Sequence, residues 1–183
     1  MTERSMAELE ARLDHFLAAP ADAGTVELVA RRPAIDQREI LAEGELTAEV
    51  GLVGDTWVDR GSRRTPDGSP HPDTQLTVMS ARVVSYLAGD PERRALAGDQ
   101  LYLDLDLTEQ NLPAGTRLAL GTAVIEVTEK AHTACKKFAN RFGLDALRFV
   151  NAPQRRGLRL RGLNAKVVTP GVVRPGDTVT KVC

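Results

Sequence analysis

In "SMAELEARLDHFLAAP" the apolar residues Met6, Leu9, Leu13, Phe16 and Leu17 recur at helical spacing, and Pro20 ends the pattern. The spacing predicts one amphipathic N-terminal helix. From "TVELVARRP" onward the pattern shortens into β-rich runs broken by Gly and Pro. The helix therefore reads as an appendage over residues 1–24, attached to a mainly β domain over residues 25–183. "LYLDLDL" alternates Leu101, Leu103, Leu105 and Leu107 with Tyr102, Asp104 and Asp106, which predicts a strand with one apolar and one polar face. "TRLALGTAVIEVTE" predicts a hairpin that turns at Gly121-Thr122. Near the C-terminal end, "TPGV" and "RPGD" each place proline and glycine where a type II turn wants them. "SARVVSYLAG" and "GLDALRFVNAP" predict two further short helices, and residues 59–73, "DRGSRRTPDGSPHPD", predict a long loop of the kind that carries binding elements. Several short strands with regular turns make the class mainly β (α+β), a barrel or a sandwich.

Composition narrows what such a fold does. The chain has 183 residues, 42% hydrophobic, enough for one ordinary core, and a formal net charge of −1. That balance gives no global basic field for nucleic acid or an anionic membrane, so any anion site is local. No apolar run approaches the roughly 20 residues that span a bilayer, and the polar N-terminus is unlike a signal peptide, which makes the cytoplasm the expected compartment. Two cysteines, Cys135 and Cys183, make no disulfide framework and hold no iron–sulfur cluster within one chain.

Candidate chemistry centres on "AHTACKKFANRFG", residues 131–143. His132 and Cys135 stand three apart, so a helix or tight turn lets both face one ligand. A zinc site needs further ligands, and His15, His71 and Cys183 are scattered. A cysteine hydrolase would take Cys135 as nucleophile and His132 or His71 as base, but it lacks a third, orienting group. Lys136, Lys137 and Arg141 bring positive charge that attracts an anion such as phosphate. On this segment alone, a buried packing cysteine is the stronger reading. In "GLVGDTW", Gly51 and Gly54 either make a turn or let backbone N–H groups approach a ligand beside Trp57, the only tryptophan. In "RLRGLNAKVV", strand periodicity would put Arg159 and Arg161 on one face to grip a phosphate, or leave them as surface charges.

Taken in order, "GLVGD" at 51–55, "HPDTQLTVMS" at 71–80, "AGDQLYLDLDLTEQNLPAGTRLALGTAVIEVTE" at 97–129, "HTACKKFANRFG" at 132–143 and "RLRGLNAKVVTPGVVRPGDTV" at 159–179 resemble the MOSC domain family. The resemblance implies a MOSC-type β-barrel in which Cys135 coordinates the molybdenum of a molybdenum-pterin cofactor or carries sulfur as a persulfide. It implies that Cys135 and His132 serve catalysis. It further implies that Lys136, Lys137, Arg159, Arg161, Gly54, Asp55 and Trp57 surround the cofactor. Competent relatives reduce small N-hydroxylated compounds, so the resemblance implies a small-molecule substrate and, since this chain has no iron–sulfur set, a separate electron-donor protein. Sulfur transfer and cofactor binding without turnover are its alternatives. Two positions depart from the family pattern: Gln100 stands where relatives often have asparagine, and Ala134 where they have proline before the cysteine. Pyridoxal phosphate is not implied.

Overall fold

The computed structural model describes residues 3–182. Its elements run α1 (Met6–Glu10), α2 (Leu13–Leu17), β1 (Ala23–Arg31), β2 (Glu39–Leu41), β3 (Gly44–Thr47), β4 (Gly51–Leu52), β5 (Leu76–Ser80), α3 (Ala81–Ala88), α4 (Pro91–Ala95), β6 (Leu101–Asp104), β7 (Arg117–Leu120), β8 (Ala123–Ala131), α5 (Lys136–Phe142), α6 (Leu144–Val150), β9 (Leu163–Thr169), β10 (Gly171–Val173) and β11 (Thr178–Val182). Short 3₁₀ turns at Pro72–Thr74 and Pro153–Leu158 complete the set.

Strands pair in the order β11-β7-β8-β9-β5-β6-β1, and β11 returns to β1, which closes a seven-stranded barrel. Closure removes the open sheet edges. Every pairing in this ring is antiparallel except β5–β6, which needs a crossover, and α3 with α4 supplies it. Inside the barrel sit Val26, Val29, Val78, Leu101, Leu103, Ile125, Ala165 and Val179. A small sheet of β10, β3 and β4 adds Leu46, Leu52 and Val173 to the same core.

A second apolar layer lies outside the barrel wall. Met79 and Tyr102, one step along their strands from Val78 and Leu101, point outward beneath α3, α5 and α6 and pack with Val84, Phe138 and Phe149. This corrects the expected polar face of "LYLDLDL": the strand ends at Asp104, and Tyr102 is fully buried because helices cover that side.

Other expectations meet the structure at particular residues. The N-terminal helix is two short helices broken at Ala11–Arg12, the first opened by a Ser5–Glu8 capping box. Leu9 and Phe16 are buried in the outer layer, Phe16 against Tyr86 and Phe149 at centroid distances of 5.8 and 6.2 Å. The hairpin turns at Gly121-Thr122 as the sequence suggested, with Leu120 opposite Ala123. In "RPGD" Gly176 has φ 93 and Asp177 N–H reaches the Arg174 carbonyl at 3.1 Å, so the predicted turn forms. "TPGV" does not turn that way. Gly171 begins β10 without a positive φ, and a Cβ there would meet the Thr122 backbone at 2.5 Å, so tight packing between strands is what requires glycine.

Candidate functional site

Just outside the barrel wall, the start of β6 and the parallel β5 meet the end of β1, the end of β8 and the turn before β9. The segment Ala95–Asp99, from the last residue of α4 towards β6, organises this corner. The final carbonyls of a helix lack intrahelical partners. Here Ala95 O accepts from the Tyr102 hydroxyl at 3.4 Å, Leu96 O from Arg141 Nη1 at 2.6 Å, Ala97 O from Arg161 Nη2 at 3.1 Å, and Gly98 O from Arg32 Nη1 at 3.1 Å. One short stretch of backbone thus aims three arginines from three distant parts of the chain.

Two buried aspartates hold two of those arginines. Asp55 accepts from Arg32 Nε and Nη2 at 2.8 and 2.7 Å, and also from the backbone N–H groups of Arg32 and Trp57, each at 2.9 Å. Burial favours the neutral acid, but the Arg32 guanidinium outweighs it and holds the carboxyl below its usual range. Asp99 divides its oxygens: Oδ2 accepts from Arg161 Nη1 at 2.6 Å, and Oδ1 lies 2.6 Å from His132 Nε2. Burial again opposes ionisation, and Arg161 with His132 overcomes it, leaving Asp99 at about 2. Gln100 ties the two halves together. Its Oε1 accepts from the N–H and hydroxyl of Thr77 at 2.9 and 2.6 Å, while Nε2 donates to Asp55 Oδ1 and the Gln75 carbonyl at 3.3 Å.

Because ionised Asp99 only accepts, His132 donates from Nε2, which leaves Nδ1 free of any hydrogen bond among the described residues. Burial, and next the Arg161 charge, push His132 below its ordinary value against the pull of Asp99.

Cys135 ends the loop that follows His132. Ala134 donates its N–H to Asn151 Oδ1 and accepts from Asn151 Nδ2, both at 2.9 Å, so an asparagine side chain pins this loop as a neighbouring strand would. Beyond it, Phe138 is buried, and Arg161 Cζ stands 5.1 Å over its ring. Cys135 itself is exposed, which overturns the packing reading. It lies at the rim of a cavity of about 440 Å³ whose walls include Arg32, Arg38, Gly98, His132, Phe138, Arg141 and Arg161. Two buried guanidinium nitrogens here, Arg38 Nε and Arg161 Nε, have no partner. A second cavity of about 510 Å³ adjoins the first through Arg32, Arg60, Thr77, His132 and Thr133.

The sequence profile of the MOSC domain matches residues 67–180, more than half of the chain. This chain belongs to the MOSC domain family. Among curated proteins, no sequence is similar enough to match it. Solved structures agree on the fold. The YuaD protein of Bacillus subtilis superposes with a TM-score of 0.57 at 18% identity, over 86% of this chain and 94% of that one. YiiM of Escherichia coli gives 0.55 at 23% identity over 88% and 70%, and YiiM of Geobacillus stearothermophilus gives 0.53 at 16% over 90% and 75%.

Within this MOSC barrel the residues singled out from sequence separate. Cys135, His132, Lys137 and Arg161 line the first cavity, and Trp57 lines the second. Asp55 stands behind both as the anchor of Arg32. Gly54 lines neither cavity: it turns the chain at φ 80, where a Cβ would strike Arg31. Lys136 is exposed and also lines neither. Lys137 meets Asp36 at 2.8 Å, which offsets its charge. Arg159 and Arg161 share no strand face, because β9 starts only at Leu163; Arg159 is left-handed at φ 46 and donates to the Leu112 carbonyl at 2.6 Å. Cys183 lies outside the described residues, and among those described no helix is long and apolar enough to cross a membrane.

Asp99, Arg32 and Arg38 were not singled out from sequence, although Asp99 sits in "AGDQL". The available signal for Asp99 was an acid two residues before an apolar strand and for Arg32 a pair of arginines closing one, whereas Arg38 carries no comparable signal.

Proposed function

We propose that the protein binds a molybdenum-pterin cofactor at the first cavity and reduces small N-hydroxylated molecules with electrons from a separate donor protein. The observation that carries the reading is an exposed thiol, Cys135, at the mouth of a cavity whose wall holds Arg161 with its Nε buried and unpartnered. The donor set suits that group: a soft thiolate for the metal, and guanidinium N–H donors for an anionic phosphate. Cys135 would hold the metal, while Arg38 and Arg161 would meet the anion. When bound, the cofactor supplies the two-electron chemistry.

The chain's own residues handle position and protons. Reducing R–NHOH to R–NH₂ and water consumes two electrons and two protons. His132 Nδ1 is the proton-accepting atom at the shared wall of the cavities, and Asp99 keeps the ring turned so that this atom stays available. A proton taken up there is held loosely, because burial and Arg161 disfavour the imidazolium. Turnover should therefore rise as pH falls from 6.5 towards the lowered value of His132.

Metal analysis of protein made in a cofactor-competent host tests the binding step. Wild type should carry molybdenum and Cys135→Ser should lose it, and folded, metal-free wild type would count against the proposal. Reduction of a hydroxylamine panel with an artificial electron donor tests the reaction, and molybdenum-loaded protein that reduces none of them would favour a binding module. The exposure of Cys135 also favours sulfur transfer as a second reading. Incubation with a cysteine desulfurase would then add one sulfur atom at Cys135 by mass spectrometry.

A further inference from the structure

The second cavity differs from the first in how its cations are matched. Asp36 lines the first and meets Lys137 and Arg141, while Asp55 and Asp99 behind it hold Arg32 and Arg161, leaving Arg38 and the shared Arg60 without a carboxylate among the described residues. The second shares Arg32 and Arg60 with the first and adds Arg63, Arg64 and Lys130; no aspartate or glutamate lines it, and Arg60, Arg63, Arg64 and Lys130 are its unmatched cations. Arg60 donates to the Thr56 hydroxyl at 2.9 Å, but none of these four side chains meets a carboxylate among the described residues. His71 adds another donor. Its Nδ1 accepts from the Asp73 N–H at 3.2 Å, so a neutral ring carries its proton on Nε2.

Trp57 lines the same cavity and brings a flat apolar ring, and its Nε1 is buried without a partner. Unmatched guanidinium forks beside an aromatic wall suit a planar ring that bears a phosphate: the forks take phosphate oxygens in pairs, and the indole face takes the ring. A volume of about 510 Å³ lies within the range of small-molecule sites. The wall shared with the first cavity is formed in part by His132 and Thr133, so the end of such a ligand away from its phosphate would face the Cys135 loop.

We infer that this cavity receives the substrate, and that the substrate is a phosphorylated aromatic heterocycle of nucleoside monophosphate type and not the free base. The inference rests on the proposed function for which cavity holds the cofactor, and it adds the substrate's charge. Titrating adenosine 5′-monophosphate, adenosine and inorganic phosphate into the holoprotein by calorimetry at low ionic strength tests it without turnover.

The monophosphate should bind about tenfold or more tightly than either adenosine or phosphate, a difference of about 1.4 kcal/mol or more. Arg63→Ser/Arg64→Ser should bring monophosphate and adenosine within about twofold while leaving the molybdenum content at the wild-type level. Trp57→Leu should weaken both nucleoside ligands together and leave phosphate unchanged. Equal binding of monophosphate and adenosine by the wild type overturns the inference, as does a preference that survives the double substitution. Phosphate binding as tightly as the monophosphate removes the ring from the site and overturns it too. Loss of molybdenum in the double variant would place the cofactor's own phosphate here, with the same result. An intact monophosphate preference in holoprotein that reduces no hydroxylamine supports the site and counts against the proposed reaction alone.

Discussion

Asp55 and Asp99 share a chemical setting and differ in what surrounds them. Both are buried, both are ionised, and both hold an arginine that lines the first cavity. The acceptor capacity of Asp55 is filled by Arg32, two backbone N–H groups and Gln100, which together fasten "GLVGDTW" to the end of β1. Asp99 gives one oxygen to Arg161 and the other to His132, whose far nitrogen remains available. A closed carboxylate fixes a joint between segments. An open one couples a buried charge to a side chain that lines both cavities, so identical residue types are distinguished by their remaining partner.

The largest effect should come from breaking either pair on one side. Asp55→Ala strands Arg32 and Asp99→Ala strands Arg161, and each should cost about 3–5 kcal/mol in denaturant unfolding. Replacing whole pairs sharpens the contrast. Arg32→Met/Asp55→Leu should recover most of that stability, as should Arg161→Met/Asp99→Leu; on the proposed function only the second double variant should abolish molybdenum loading.

Acid titration gives the next effect. Asp99 sits at about 2 against an ordinary 3.8, so its contribution is complete above 3.8 and disappears as pH falls towards 2. That amounts to about 2 kcal/mol, and Asp99→Asn should remove this acid dependence when unfolding is followed across that window. Asn151→Ala should cost roughly 1–2 kcal/mol by freeing both polar groups of Ala134, with faster amide exchange confined to the Cys135 loop.

His132→Gln should cost least, roughly 1 kcal/mol. Its signature is a slope: with the folded value of His132 lowered, protons bind the unfolded chain first as pH drops below 6.5, so wild type loses stability there and the variant should not.

The features legible in the sequence are those made by neighbours in the chain. Gly121-Thr122 and Pro175-Gly176 carry their own turn chemistry, and both turns form. Helix spacing in "SARVVSYLAG" and "GLDALRFVNAP" gives α3 and α6. Alternation in "LYLDLDL" finds β6 but not its environment, because helices distant in sequence decide whether Tyr102 meets water. The site is almost wholly of that second kind: Arg32 and Asp55 stand 23 residues apart, Asp99 and Arg161 stand 62 apart, and no local period links them. The resemblance located Cys135, and the exposure of its thiol emerged only with the folded loop.

The departure at Ala134 has a physical counterpart. Asn151 uses the Ala134 N–H, which proline lacks, so this chain holds its cysteine loop by a side-chain clamp where proline would hold it by a fixed φ. Gln100 is likewise accommodated, with its amide bonded at both ends to Thr77, Gln75 and Asp55.

The barrel is sealed where Ala23, Gly24 and Thr25 of β1 meet Thr180, Val179 and Thr178 of β11. These partners are far apart along the chain, so the seam is the contact expected to form late in folding and to limit its rate. Arg32 follows directly on the other end of the same strand. A brief parting of the seam should therefore expose the amides of Ala23–Thr25 to exchange while the carbonyls that aim the three arginines, at the far end of the strand, stay protected.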